Sequence, residues 1–276
     1  MKLSLCNEVL HPLAFDRQCA LAAAFGYTGL ELAPFTLTQD PQTLDAAAAR
    51  RFRSTAQAHG LAISSLHWLL VKPDGLSLVS ADTVVRQQTL SLLKRLIDVA
   101  AACGAVVLVH GSPKQRSPLP GQSLADAVER LHDALAELAP HAEAAGVVYC
   151  LEPLSPAETP VINTVAQAAA MVDRIGSPAL RTMLDVSAAS QAESTPVHEV
   201  LAHYLASGHI AHVQLNDKNR RGPGQGDTPQ QPVLQVLKTA GYAGWMAVEP
   251  FDYQPDGPGC AEFSARHVKA IWSTLT

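Results

Sequence analysis

Glu152, Asp185, Gln214 and Glu249 are the residues of this sequence best placed to do chemistry, because each ends an apolar run and they recur at spacings of 33, 29 and 35 residues. Each spacing is close to the roughly 30 residues of one strand–helix–strand unit, so consecutive units would carry one oxygen donor apiece to the same height. Three carboxylates crowded together repel and raise one another's pKa unless a cation neutralises them. With oxygen donors and no thiolate, the set calls for one divalent metal ion, Mn²⁺ first, with Mg²⁺ or Co²⁺ as alternatives. Acidic residues at strand ends also cap helices or pair with surface lysine and arginine. Four in phase in consecutive units argue for the shared ion instead.

The elements that would position them are legible as a repeat. Apolar, β-rich runs start near residues 3, 29, 61, 104, 147, 180, 210 and 245. Between them lie Ala- and Leu-rich stretches such as LDAAAARRFRSTAQAHG and SLADAVERLHDALAELAPHAEAAG, with apolar residues at three- and four-residue spacing, as in helices that cover a sheet. Gly60, Gly104, Gly146 and Gly241 stand just before the next run, where a helix end favours a residue tolerant of left-handed backbone. Eight such units predict an α/β fold, a (β/α)8 TIM barrel spanning 1–276 as a single domain. Strand alternation then turns Val148, Cys150 and Glu152 to one face, and likewise Met183 with Asp185, His212 with Gln214 and Ala247 with Glu249. His212 is the rival metal ligand, because imidazole suits the same metals, but it sits one pleat deeper.

Composition narrows the function. The chain has 276 residues, 47% of them hydrophobic and 16% charged, against about 25% charged in an average soluble protein, which fits one large core. A net charge of −5 and no basic stripe argue against nucleic acid as a partner. No run approaches the roughly 20 apolar residues of a membrane span, and the MKLSLCNEVLHP start is too short in apolar residues for a secretion signal. A cytoplasmic protein with no membrane partner is the expectation. The five cysteines are scattered, with no C-x-x-C pair, so they read as free thiols. There is no G-x-G-x-x-G or P-loop after the first strand, so the dinucleotide and P-loop versions of α/β architecture lose their best evidence.

The segments LEPLSPAETPVINT, LDVS, HVQLNDKNRRGPGQGD and VEPF resemble the xylose-isomerase-like TIM-barrel sugar (phosphate) isomerase/epimerase superfamily, which includes ketose 3-epimerases and hydroxypyruvate isomerases. The resemblance follows the repeat along the whole chain, with its specific motifs in the second half. It implies that Glu152, Asp185, Gln214 and Glu249 hold one divalent ion, and that Glu152 and Glu249 are the catalytic pair, one acting as base and the other as acid. It implies substrate-binding roles for Glu158 and Arg220. His67, Trp68 and His110, at the ends of the third and fourth strands, are weaker candidates for substrate contacts, and Glu31 is weaker still.

Two departures bear on the substrate. Gln214 stands where ketose epimerases usually have His and looks like the hydroxypyruvate isomerases. Ala188 stands where the epimerase pattern puts a substrate-binding His. The expected activity is therefore metal-dependent isomerisation or epimerisation of a small sugar or hydroxy-keto acid, by proton transfer through a metal-stabilised enediolate. A lyase that dehydrates or decarboxylates an oxo-sugar acid on the same scaffold is the alternative. Barrels of this family are commonly homo-oligomers, and no sequence feature fixes the number of subunits.

Overall fold

The computed structural model describes residues 1–276. Its strands are β1 (Lys2–Cys6), β2 (Gly29–Leu32), β3 (Ala62–Leu66), β4 (Val107–His110), β5 (Val148–Leu151), β6 (Leu180–Asp185), β7 (Ile210–Leu215) and β8 (Trp245–Val248). Each pairs in parallel with the next, and β1 pairs with β8 to close the barrel. All eight expected strands are present in the expected order.

Helices connect the strands on the outside. Three of them, Ala46–Ala58, Thr83–Cys103 and Leu124–Ala145, fall on the stretches read as helical. Their ends explain their lengths. Asp45, Asp82 and Ser123 accept backbone N–H groups at the N-termini, a satisfaction of free donors worth about 1 kcal/mol each. Gly104 and Gly146 end two of them at φ 80 and 70, a left-handed turn that other residues adopt at a cost.

Two apolar bodies result. Outward-facing strand residues such as Leu108, Leu151, Leu184 and Val213 join Leu93, Leu96, Leu131 and Leu135 of the helices in one core of 67 buried residues. Each fully buried side chain of this size contributes about 1.5–3 kcal/mol. A second, small cluster of Val107, Val109, Cys150 and Met183 lies on the opposite face of β4, β5 and β6, filling the barrel as packed core. At the end where the strands begin, the Trp245 ring lies against Gly29, where an added Cβ would meet it at 2.7 Å. No helix is long and apolar enough to cross a membrane.

Candidate functional site

The strand ends opposite Trp245 carry the four oxygen donors. Glu152 directly follows β5; its N–H donates to His110 O (3.2 Å) and its carbonyl accepts Arg116 Nη1 at 2.7 Å. Asp185 closes β6 and caps the helix Val186–Ala192 by accepting Ala188 N–H at 2.7 Å. Its other oxygen accepts Asn216 Nδ2 at 2.6 Å. Gln214 pairs with Asp185 and Ala247 in the sheet register, and Glu249 follows β8 with its N–H on Leu215 O (3.1 Å). Carboxylate oxygens of Glu152, Asp185 and Glu249 come within 4.8 Å of one another, and all three residues are buried. The parity read from the sequence thus brings the carboxylates together.

Burial dominates their electrostatics. It pushes the Glu152 carboxyl well above the usual range, with Glu249 and Asp185 adding to the rise and Arg116 opposing it. Burial raises Asp185 to about 7 against the N–H groups of Ala188 and Asn216, and raises Glu249 to about 8 against His67. No lysine or arginine hydrogen-bonds any of the three carboxylates; Arg116 reaches only the backbone of Glu152. Gln214 Oε1 and Glu249 Oε2 are buried acceptors without a donor. Buried oxygens of this kind cost about 1–3 kcal/mol each when unpaired, and a hard divalent cation is the partner such a donor set fits.

His212 does not share that arrangement. Its Nε2 lies 2.6 Å from Glu31 Oε2, deeper in the barrel, and both residues are fully buried. Glu31 also accepts Ser65 Oγ, Cys6 Sγ (3.2 Å) and Gln214 Nε2 (2.7 Å). Burial works against the Glu31 anion, but His212 and His67 outweigh it and hold the carboxyl well below its ordinary value. His212 is therefore a close neighbour of Glu31 inside the barrel and stands apart from the carboxylate cluster.

His67 braces the site from β3. Its Nδ1 is 2.9 Å from Glu249 Oε1 and its Nε2 is 2.9 Å from Glu8 Oε2. Burial disfavours the imidazolium, yet Glu8, Glu31 and the bonds to Glu249 and Glu8 raise its pKa well above the ordinary value. With both ring nitrogens engaged, His67 holds Glu249 and offers no free donor to a ligand. His110 is turned away. Val107 and Val109 take the inward face of β4, so His110 faces the helices, where Nδ1 meets Tyr149 Oη at 2.7 Å. Burial and then Arg116 lower its pKa to about 3. The structure does not bring His110 into the cleft.

The cleft above the carboxylates is lined by Glu152 and Glu249 together with His67, Trp68, Glu158, Ser112 and Phe251, among others. Trp68 and Phe251 meet edge to face with centroids 6.1 Å apart. Arg220 Nη1 lies 3.3 Å from Glu158 Oε1, and its guanidinium sits 4.2 Å from the Phe251 ring centroid. Glu158 is itself fixed by Ser155, whose hydroxyl donates to it at 2.8 Å. Sequence reasoning missed Phe251, Glu8, Asn216 and the burial of Arg116. Phe251 and Glu8 each lie two residues beyond an inward position, Glu249 and Cys6, a parity that was available to find them. Gly111 is a fifth; a Cβ there would strike the Glu152 carboxylate.

The family model described as "Xylose isomerase-like TIM barrel" matches residues 19–271. A ketose 3-epimerase of Arthrobacter globiformis is 28% identical over 254 residues, covering 90% of this chain and 80% of that protein. A fructoselysine 3-epimerase of Shigella flexneri is 26% identical over 239 residues, covering 83% and 82%. Among solved structures, a D-psicose 3-epimerase with D-tagatose from Clostridium cellulolyticum superposes with a TM-score of 0.82 at 18% identity, covering 100% of this chain and 99% of that one. The last likeness speaks to the fold.

Proposed function

The chain belongs to the xylose isomerase-like TIM-barrel family, and from that premise we propose that it is a divalent-metal-dependent ketose 3-epimerase acting on an uncharged sugar. One observation carries this reading: three buried carboxylates, Glu152, Asp185 and Glu249, converge within 4.8 Å with no lysine or arginine bonded to any of them. The 3-epimerases among its relatives supply the reaction class.

Glu152, Asp185, Gln214 and Glu249 would hold the ion. Bound there, Mn²⁺ or a similar cation supplies Lewis-acid neutralisation of charge on the substrate's oxygens. The remaining chemistry belongs to the side chains. Glu152 and Glu249 project from β5 and β8, three strands apart around the rim. One, ionised, takes the proton from the carbon beside the carbonyl; the C–H pair becomes the C=C bond of an enediolate as the carbonyl π pair moves onto its oxygen, and that pair re-forms the carbonyl when the carbon is reprotonated. The other, protonated, returns a proton to the opposite face of the same carbon, and configuration inverts. The two carboxyls thereby exchange protonation states. Such work needs one acid and one base, which fits a Glu249 carboxyl raised to about 8 beside a Glu152 carboxyl pushed up by burial. Trp68 and Phe251 provide an apolar wall for a sugar's C–H face.

Charge argues for a neutral substrate. Arg220, a cation at the cleft, is paired with Glu158 and stacked on Phe251, and both nitrogens of His67 are engaged. A free carboxylate or phosphate would meet carboxylates first. Gln214 as the third oxygen donor favours a second reading, isomerisation of a hydroxy-keto acid. The deciding experiment incubates the metal-stripped protein, with and without MnCl₂, with free ketoses, ketose phosphates and hydroxypyruvate in D₂O. Mn²⁺-dependent deuterium uptake at C3 of a free ketose without change of carbon skeleton is expected. Uptake confined to hydroxypyruvate selects the second reading, and release of water or CO₂ identifies a lyase. A protein that binds Mn²⁺ yet exchanges no ketose hydrogen is not an epimerase.

A further inference from the structure

Gln214 differs from its three neighbours at the site in having two unlike ends. A carboxylate presents oxygen whichever way it turns, whereas a carboxamide presents either an acceptor or a donor pair. Only its oxygen is useful to a cation. Something must therefore choose the orientation, and the choice is visible below the site. Glu31 is fully buried, and every hydrogen bond to its carboxylate is donated to it: Ser65 Oγ, Cys6 Sγ at 3.2 Å and Gln214 Nε2 at 2.7 Å, with His212 Nε2 a further 2.6 Å neighbour. An ionised carboxylate accepts only, so the Gln214 end that faces it has to be the N–H₂ end. The reversed amide would set oxygen against oxygen inside the barrel. The consequence is the unpartnered, buried Gln214 Oε1, left on the side away from Glu31.

We propose that Glu31 is a positioning residue that locks the Gln214 carboxamide with its oxygen toward the metal position, making a neutral side chain serve as the third ligand. This rests on the reading that Gln214 is a ligand, and the test separates the two. In Glu31→Gln the new amide can donate or accept, so Gln214 loses its directional lock. Mn²⁺ affinity, measured by calorimetric titration of MnCl₂ into the metal-stripped full chain, is expected to weaken 10- to 100-fold, as for other partners that orient a metal ligand.

Adding Gln214→Glu to that variant is expected to restore most of the loss, because a carboxylate needs no orienting. Gln214→Glu alone, which sets two carboxylates face to face above His212, is expected to bind more weakly than the double variant. That reversal is one a packing defect would not produce. Wild-type affinity in Glu31→Gln, or no rescue by the second substitution, overturns the proposal. If Gln214→Ala binds Mn²⁺ like the wild type, Gln214 is no ligand, and the ligand set falls with the inference. If Gln214→Ala weakens binding and Glu31→Gln does not, the inference alone falls. Should Glu31→Gln fail to fold, the wild-type Gln214 amide decides: its N–H₂ is expected to stay protected from exchange while Mg²⁺ shifts its carbonyl carbon, and a freely exchanging N–H₂ overturns the assignment.

Discussion

The rim of the barrel divides into two halves that do different work. β5 to β8 present acceptors: Glu152, Asp185, Gln214 and Glu249. β1 to β3 and the residues that follow them present the groups that hold those acceptors still: Glu8, Glu31, Ser65 and His67. A site of bare carboxylates would turn and protonate freely. Tying two of the four donors, Gln214 and Glu249, to a rigid opposite wall is what lets the arrangement persist in a buried, like-charged cluster.

Substitutions on the two sides should separate the roles. The largest effect belongs to the acceptor half: Glu152→Gln keeps the shape but removes the proton carrier, and turnover should fall by about 10² to 10⁴-fold. Its melting temperature should stay near or above the wild-type value, because a buried carboxyl is relieved of charge. Steady-state kinetics and thermal melting together check this, and near-normal turnover would erase the distinction between the halves. A smaller effect belongs to the bracing half. His67→Asn breaks the bridge between Glu8 and Glu249, and kcat/KM should drop on the order of 10- to 100-fold. The acid limb of the pH–rate profile should move upward, because Glu249 loses the neighbour that opposes its rise.

The smallest is a pH effect on the metal-free protein. Asp185 and Glu249 sit at about 7 and about 8 when folded, against roughly 4 in an unfolded chain. At these two groups the folded state therefore binds more protons between these limits, so their contribution to stability is fully present below about pH 4 and is lost as pH rises toward 8. The metal-free melting temperature should fall on the order of 5 °C between pH 5.5 and 8 from these groups. Added Mn²⁺, which displaces those protons, should stabilise more at pH 8 than at pH 5.5. A pH-independent metal increment would show that the carboxylates are not its ligands.

The sequence carries the acceptor half far more openly than the bracing half. Each acceptor ends its own apolar run, and the period of the barrel brings all four into phase, so one-dimensional spacing suffices. The braces act across the barrel: Glu31 meets a residue 183 positions away and His67 one 182 away, and no local pattern encodes such pairs. His110 shows a different limit. In VLVH both faces of the strand are apolar, because parallel strands are buried on both sides, so parity had no polar alternation to anchor it. Arg116 reads as a solvated loop cation in KQR, yet the backbone carbonyls of Glu152 and Ile162 bury it. Ala188 donates its N–H to Asp185, a contact that any residue except proline supplies.

The ring of Trp245 lying against Gly29 gives the cylinder a floor, and Val107, Val109, Cys150 and Met183 fill the storey above it. Whatever reaches Glu152 and Glu249 must leave by the doorway through which it arrived. Outgoing and incoming molecules therefore queue at one opening, and the reaction's end product should act as a competitive inhibitor from that side alone.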